Sequence, residues 1–229
     1  MKIDVTRVQN GIYDVCVIRN DEYIGPCIAR GHEWDAWMRR DVRMYHTPGT
    51  DILDIGANIG YNTLLFSDYG PVISFEPLYH EIVNTNIKNN TLRYPVQVVP
   101  CALSDEQTIT SIHIPSHGHD SNTHINYGGT SFHHTGEWKG EGVDVRCERL
   151  DAIYTGTPSF IKIDVEGHEL QVLKGAQEIL KKHTPAILIE IHDFSEDTEI
   201  HQFMVSLGYG TPIRRPEAMF MYTSASISQ

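Results

Sequence analysis

The amino-acid sequence predicts an α/β protein with a doubly wound, mostly parallel sheet. Short apolar runs of strand length alternate with amphipathic segments of helix length from residue 51 onward. A glycine-containing turn follows the first of these runs, and a long polar segment separates the third run from the fourth. Because strands that alternate with helices at this spacing are typical of a parallel sheet with helices on both faces, we expect one such sheet, interrupted by an inserted loop and hairpin.

The individual elements follow from apolar periodicity and from turn residues. Residues 1–50 are predicted to be an N-terminal elaboration packed on the core, with a strand at 13–18 and a helix at 32–45. Residues 51–229 are predicted to be the main domain, with strands at 52–55, 72–75, 96–100, 159–163 and 186–191, and helices at 60–67, 79–89, 167–183 and 196–207. The predicted insertion, 106–147, has strands at 109–114 and 143–147. The last strand, 219–222, is predicted to close the sheet in the antiparallel direction.

Composition excludes several classes of protein. The chain has 229 residues, of which 40% are hydrophobic and 21% charged, so it is long enough to bury a core without disulfides or metal. The 18 Lys and Arg residues against 30 Asp and Glu residues give a formal charge of -12, which argues against a nucleic-acid partner. The four cysteines form no C-x-x-C pair. No apolar stretch resembles a membrane span or signal peptide, so the sequence predicts a soluble, cytoplasmic protein.

The strongest local pattern is the turn between the first core strand and its helix, formed by Asp54, Gly56, Asn58 and Gly60 in the spacing D-x-G-x-x-x-G. Its glycines let the backbone approach a ligand closely. Glu76, followed by Pro77, ends the second strand, where an acidic side chain suits the hydroxyls of a ribose. Asn58 replaces the second glycine of a dinucleotide fingerprint, and Asp54 favours a cationic ligand over a pyrophosphate. The turn therefore favours S-adenosylmethionine (SAM) over NAD.

The residues after the third core strand are expected beside the adenine of SAM, because the carboxyl ends of parallel strands share one edge of the sheet. They are Ala102, Leu103 and Asp105. Backbone amides or the Asp105 carboxylate would read the adenine edge.

These motifs, together with the run Ile161-Lys-Ile-Asp-Val-Glu-Gly-His-Glu169 and Leu173-Lys-Gly-Ala176, resemble those of the FkbM family of SAM-dependent methyltransferases. The resemblance extends from about residue 51 to about residue 193. It implies a Rossmann-like class I methyltransferase fold and O-methylation, commonly of sugars or hydroxylated natural products. It also implies that a glycosyltransferase, fused or associated, is a candidate partner. The acceptor would be recognised by the N-terminal fifty residues and by residues 115–142, where the resemblance is weaker.

Candidate catalytic residues follow the fourth and fifth core strands. Asp164 ends one strand and His168 lies on the turn after it, while Glu190 and His192 end the next strand on one face. Removal of a proton from an aliphatic hydroxyl needs a base or a metal ion. In one hypothesis a histidine, with His168 preferred, is the general base. In the other, Asp164, Glu190 and His192 bind Mg²⁺ or Mn²⁺, which lowers the pKa of the hydroxyl.

The inserted loop at 115–142 is expected to be a polar lid over the acceptor. Its histidines and those beside it have spacings that fit no regular metal-ligand pattern: His113, His117, His119, His124, His133 and His134. Tyr127, Phe132 and Trp138 are candidates to stack on a sugar ring.

The sequence leaves competing functions open. The preferred one is SAM-dependent O-methylation of a sugar or glycan hydroxyl. The alternatives are O-methylation of a non-sugar natural product, and a nucleotide-binding module without catalysis, which would need Asp54 and Glu76 but nothing like the residues around Asp164.

Overall fold

The computed structural model describes residues 3–119, 123–133 and 139–225. The strands are β1 (Val5–Asn10), β2 (Tyr13–Ile18), β3 (Asp51–Ile55), β4 (Val72–Phe75), β5 (Val96–Val99), β6 (Ala102–Leu103), β7 (Thr108–Pro115), β8 (Lys139–Glu148), β9 (Pro158–Ile163), β10 (Ala186–Glu190), β11 (Ile213–Arg214) and β12 (Met219–Tyr222). The helices are α1 (Ile24–Ala29), α2 (Met38–Tyr45), α3 (Tyr61–Phe66), α4 (His80–Asn89), α5 (Leu150–Ile153), α6 (Glu169–Gly175), α7 (Gln177–His183) and α8 (Glu199–Ser206).

The central sheet has seven strands in the order β11-β12-β10-β9-β3-β4-β5. Its members β10, β9, β3, β4 and β5 are mutually parallel, whereas β12 runs antiparallel to β10 and β11 antiparallel to β12. The predicted doubly wound, mostly parallel sheet with an antiparallel closing strand is therefore confirmed.

Both faces of this sheet are covered, as the continuous apolar runs predict. Leu53 and Ile161 pack into one apolar cluster with α6, α7 and α8, whereas Ile52 and Phe160 pack into another with α2 and α3. Alternate residues of a strand thus face opposite layers.

The N-terminal segment packs on the main domain through β2, whose Val15 and Val17 share a cluster with Leu64 of α3 and Tyr79 before α4. The helix predicted at 32–45 is shorter, because Asp35 has a left-handed backbone with φ 51° and α2 begins only at Met38. The sequence analysis also missed α1. The proposed boundary at residue 50 stays a prediction.

The helix predicted at 167–183 is two helices that meet at Ala176. A Cβ on Gly175 would lie 1.9 Å from the carbonyl oxygen of Ser104, so the end of α6 lies directly against the chain that follows β6. The break between α6 and α7 lies at this contact, which the helical periodicity of the sequence does not predict.

The insertion contributes the antiparallel hairpin of β7 and β8 to a separate sheet in the order β6-β8-β7, and β6 precedes the predicted insertion. His134 and Trp138 lie outside the described residues. Among the residues that the structure describes, no helix is long and apolar enough to cross a membrane.

Candidate active site

A cavity lies at the carboxyl ends of the parallel strands, and the turn after β3 forms one wall. At Gly56, φ is +78° and a Cβ would lie 1.8 Å from the carbonyl oxygen of Asp164, so only glycine fits. Asn58 is also left-handed, with φ 52°. Gly60, with φ +83°, packs against Val83. Gly56 and Asn58 line the cavity, whereas Gly60 lies outside its described lining.

Glu76 enters the same wall from the end of β4 and is 5% exposed. Its Oε2 accepts a hydrogen bond of 2.8 Å from the backbone N–H of Asn58, and its Oε1 accepts from those of Leu78 (2.8 Å) and Tyr79 (3.0 Å). Burial raises the pKa of this carboxyl, and the backbone donors oppose the shift. Because a carboxylate has about four lone-pair sites, Glu76 can still accept one hydrogen bond from a ligand.

The next stretch of wall is apolar. Pro77, Ala102 and Leu103, which are predicted to bind the cofactor, line it together with Leu78, Cys101, Ile112 and Phe132. Asp105, by contrast, lies outside the described lining and accepts a hydrogen bond of 3.2 Å from Ser104 Oγ. This end of the cavity is thus a slot that suits a flat, partly apolar ring.

Asp54 is completely buried and lies behind the glycine turn rather than in the cavity lining. It accepts a hydrogen bond of 2.5 Å from Thr63 Oγ1, and its Oδ1 lies 3.6 Å from Lys162 Nζ. Burial raises the pKa of Asp54, and the charge of Lys162 lowers it. The expectation that Asp54 meets a cationic ligand directly does not agree with this position, since its nearest cation belongs to the protein.

Lys162 is a charged residue of the cavity wall that the sequence analysis did not single out. It is 2% exposed, lines the cavity, donates a hydrogen bond of 2.9 Å to the carbonyl oxygen of Gly56 and lies 3.2 Å from Asp164 Oδ2. Burial opposes its charge, but the carboxylates of Asp164, Asp54 and Asp35 outweigh burial and raise its pKa. The available signal was a lysine in an apolar strand, two residues before Asp164 and therefore on the same face.

Asp164 and Glu190 both line the cavity. Glu169 Oε1 accepts hydrogen bonds from the backbone N–H groups of Val165 (3.3 Å) and Gly167 (3.0 Å), which stabilises the turn after Asp164. Burial, followed by the charges of Asp164 and Glu166, raises the pKa of the Glu190 carboxyl to about 9. Its buried Oε2 has no hydrogen-bond partner among the described residues.

His192 lies beside Glu190 but outside the described cavity lining, with 63% of its side chain exposed. Its Nε2 is 3.3 Å from Glu190 Oε2 and 3.9 Å from Glu166 Oε2. The Glu166 carboxylate raises the pKa of His192, burial opposes this, and Glu190 adds to it.

His168 does not reach the cavity lining. Its Nε2 is 2.9 Å from Ser104 Oγ, and its ring lies 4.6 Å, between centroids, from that of Phe132, which does line the cavity. Burial, followed by the neighbouring His133, lowers the pKa of His168 to about 4. The preferred hypothesis, in which His168 is the base, is therefore at odds with its position behind Phe132.

The predicted metal ligands do not come together as a set. Asp164 is paired with Lys162, and the described residues whose ligand atoms all lie within 4.8 Å of one another are Glu166, Glu190 and His192. Of the predicted trio, only Glu190 and His192 belong to this group.

A cavity across the carboxyl edge of a mostly parallel sheet, with a glycine turn and an acidic strand end in its wall, is typical of Rossmann-like folds, and this fold is that of the class I methyltransferases. The family model described as the methyltransferase FkbM domain matches residues 54–210, and the chain belongs to this family of methyltransferases. The predicted family is thereby confirmed.

Three known proteins place this membership in context. The chain is 25% identical over 193 residues to the hexuronic acid methyltransferase AglP of Haloferax volcanii, a match that covers 79% of this chain and 76% of that protein. It is similar in structure to methyltransferase FkbM from Methylobacillus flagellatus KT, with a TM-score of 0.54, 18% identity, and coverage of 79% of this chain but only 45% of that one. A ribosomal protein L11 methylase from Lactobacillus delbrueckii subsp. bulgaricus gives a TM-score of 0.50 at 10% identity, and the match covers 82% of this chain and 75% of that one. The two structures support the fold alone.

Proposed function

We propose that this protein is a SAM-dependent O-methyltransferase that acts on a hydroxyl of a sugar or glycan. The observation that carries the proposal is that a single cavity joins an apolar slot beside Glu76 to a group of carboxylates at Asp164 and Glu190. The first end suits a nucleoside, and the second suits a hydroxyl that must lose a proton. Sugar as the acceptor is supported by the relative that is named a hexuronic acid methyltransferase.

The residues present fit SAM. The absence of a Cβ at Gly56 keeps the turn close to β9, the remaining acceptor capacity of Glu76 suits a ribose hydroxyl, and Ala102 and Leu103 offer apolar contact to adenine. When bound, SAM supplies an activated methyl group for an in-line displacement. The protein's task is then to align the acceptor oxygen and to accept its proton.

Glu190 is the proposed proton acceptor. It lines the cavity, and its carboxylate, once ionised, is a stronger base than that of an ordinary glutamate. Because its pKa is raised to about 9, the carboxyl is mostly protonated at neutral pH, so turnover should rise with pH. Asp164, which Lys162 holds at 3.2 Å, is positioned to orient the acceptor. His192 beside Glu190 stabilises the ionised carboxylate from the solvent side.

A divalent ion remains the alternative, because Glu166, Glu190 and His192 offer one carboxylate oxygen or ring nitrogen each within 4.8 Å. Such a set of oxygen and nitrogen donors suits Mg²⁺ or Mn²⁺. If these residues hold an ion, EDTA abolishes turnover and Mg²⁺ restores it.

The test is incubation of the protein with methyl-labelled SAM and a panel of neutral, amino and uronic glycosides, with a catechol and a macrolide as non-sugar acceptors. Mass spectrometry should find label in a glycoside and none in the Glu190→Gln protein, with EDTA in a parallel series. Label in the catechol or macrolide alone would show that the acceptor is a non-sugar hydroxyl. SAM binding without label in any acceptor would favour the non-catalytic alternative.

A further inference from the structure

The end of the cavity nearest the N-terminal segment contains acceptor atoms that have no donors. Asp35 and Asn62 line it, and Asn62 is only 6% exposed. Asn62 Nδ2 donates a hydrogen bond of 3.1 Å to Asp35 Oδ2, which fixes the amide orientation and leaves Asn62 Oδ1 as an acceptor. Within the described part of the chain, both Asn62 Oδ1 and Asp35 Oδ1 are buried without a hydrogen-bond partner. Because unpaired buried polar atoms are costly, these two oxygens indicate a missing donor.

A second carboxylate, from Glu217, lines the cavity beside them. Burial, followed by a side-chain hydrogen bond with Glu217, raises the pKa of Asp35 to about 7, so these two carboxyls can share one proton. In the described lining, Lys162 is the only Lys or Arg, and Asp54, Asp164 and the Gly56 carbonyl already hold it. The charge of Lys162 also lowers the pKa of Asp35, but Asp54 and Asp164 share the same cation, so this end of the cavity keeps a negative charge.

The tertiary structure brings Asp35 and Glu217 together from opposite ends of the chain. Asp41 of α2 is 2% exposed and is paired with Arg215, whose Nη2 donates to its Oδ1 at 3.0 Å and whose Nε also bonds this carboxylate. Arg215 lies just before Glu217, in a tight turn where Glu217 and Ala218 both have φ 56°. Left-handed backbone at two successive residues other than glycine is costly, and the ion pair holds α2 and this turn in place.

We propose that Asp35, Asn62 and Glu217 form a binding subsite for a primary ammonium group. An ammonium has three N–H donors and no acceptor, which matches two orphaned oxygens and a nearby carboxylate. A carboxylate or phosphate in this position would be repelled. Asp35 and Glu217 both lie outside residues 54–210, so the family match does not include them. The ammonium has two possible sources, the amino-acid part of SAM or an amino sugar acceptor, and the second source rests on the proposed function.

The experiment uses calorimetry at pH 8, where Asp35 is ionised, with two probes. S-adenosylhomocysteine carries the ammonium, and 5′-methylthioadenosine lacks it. The variants are Asp35→Asn and Glu217→Gln, with Glu196→Gln, an exposed position outside the cavity, as the matched control. Asn62→Leu provides a second test of the buried acceptor, and thermal melting verifies that each variant is folded. The KM for 2-amino-2-deoxyglycosides is compared with that for neutral glycosides.

If the ammonium belongs to SAM, Asp35→Asn should weaken S-adenosylhomocysteine about 10-fold or more, with a smaller loss for the more exposed Glu217→Gln, while methylthioadenosine affinity stays unchanged. If it belongs to the acceptor, S-adenosylhomocysteine affinity is unchanged and the KM for amino glycosides alone rises to a similar extent. The subsite is refuted if folded variants bind both probes as the wild type does and show no selective rise in KM. Failure of the wild type to bind S-adenosylhomocysteine would instead refute the proposed function.

Discussion

The two ends of the cavity satisfy their polar groups in different ways. Around Glu76, backbone N–H groups occupy most of the carboxylate's acceptor capacity and the surrounding wall is apolar. Around Asp35 and Asn62, buried oxygens lack hydrogen-bond partners among the described residues, and the pKa values of Asp35 and Glu190 are raised. At the first end, the protein itself satisfies most of the polar groups. At the second end, carboxylates lie close together, and a bound cation would reduce their repulsion. Binding of the nucleoside should therefore depend on shape and on one hydrogen bond to Glu76, and binding at the other end on charge.

The largest expected effect comes from the substitution of Lys162, which lies between the two ends of the cavity. Lys162→Met removes the cation beside buried Asp54 and partly exposed Asp164, so the free energy of unfolding should fall by about 3 kcal/mol or more. Chemical denaturation measures this. The matched variant Lys88→Met, at an exposed position, should change it by less than about 0.5 kcal/mol. Equal losses in both variants would show that the ion pairs contribute nothing specific.

Next in size is the effect of Glu190→Gln on turnover. If Glu190 accepts the proton, kcat should fall about 100-fold or more while S-adenosylhomocysteine affinity stays within about twofold. Steady-state kinetics and calorimetry on the same samples measure the two quantities. Glu178→Gln, an exposed position on α7, is the control. Retention of turnover within a factor of two would remove Glu190 from the mechanism.

Substitutions of Glu76 and of Asp54 should have different effects, because Glu76 lies in the cavity wall and Asp54 lies behind it. Glu76→Gln should weaken S-adenosylhomocysteine and methylthioadenosine alike by roughly 10- to 150-fold, because a charge-assisted hydrogen bond to the ribose is lost. Asp54→Asn should lower the melting temperature, since Asp54 contacts Thr63 and Lys162, and should reduce affinity less than Glu76→Gln does. A larger loss of affinity in Asp54→Asn would reverse this assignment.

The inserted segment gives a smaller effect. Ser131 is 3% exposed, and its Oγ donates a hydrogen bond of 2.7 Å to the carbonyl oxygen of Glu166. Ser131→Ala should cost about 1–2 kcal/mol of local stability, seen as faster hydrogen exchange in β7 and in residues 123–133. If this segment is a lid, exchange there should also slow when acceptor binds. Protection that neither the substitution nor acceptor alters would identify the segment as fixed scaffold.

The smallest effect is pH dependence at the charged end. With a pKa of about 7, Asp35 becomes ionised between pH 6 and pH 8, so affinity for a ligand whose ammonium it binds should rise with pH by up to about tenfold. Lys162 faces the same group and should stay charged over this range, because the neighbouring carboxylates raise its pKa. Asp35→Asn should flatten the profile for S-adenosylhomocysteine if SAM supplies the ammonium. Methylthioadenosine should show no such slope in either protein, and a slope there would contradict the charge-based account of this end.

Local patterns in the sequence determined the class of fold and one wall of the cavity. The alternation of apolar runs and helical segments predicted the parallel sheet, and the antiparallel closing strand followed from its place in the chain. Gly56, Asn58, Glu76, Pro77, Ala102 and Leu103, chosen from the sequence as cofactor-binding residues, all line the cavity, as do Asp164 and Glu190. Their roles in binding and catalysis stay predictions. All of these lie at or just beyond strand ends, which sheet topology alone brings to one edge.

Only the tertiary structure decided which charges meet. Lys162 stands opposite Asp54 because β3 and β9 pair in that register, and sequence spacing does not fix a register between strands so far apart. Asp35 and Glu217 converge through the Asp41–Arg215 pair from opposite ends of the chain. His168 follows Asp164 closely in sequence, yet its ring lies behind Phe132. Periodicity depends on neighbours along the chain, whereas the direction of a side chain at a turn depends on what packs against it.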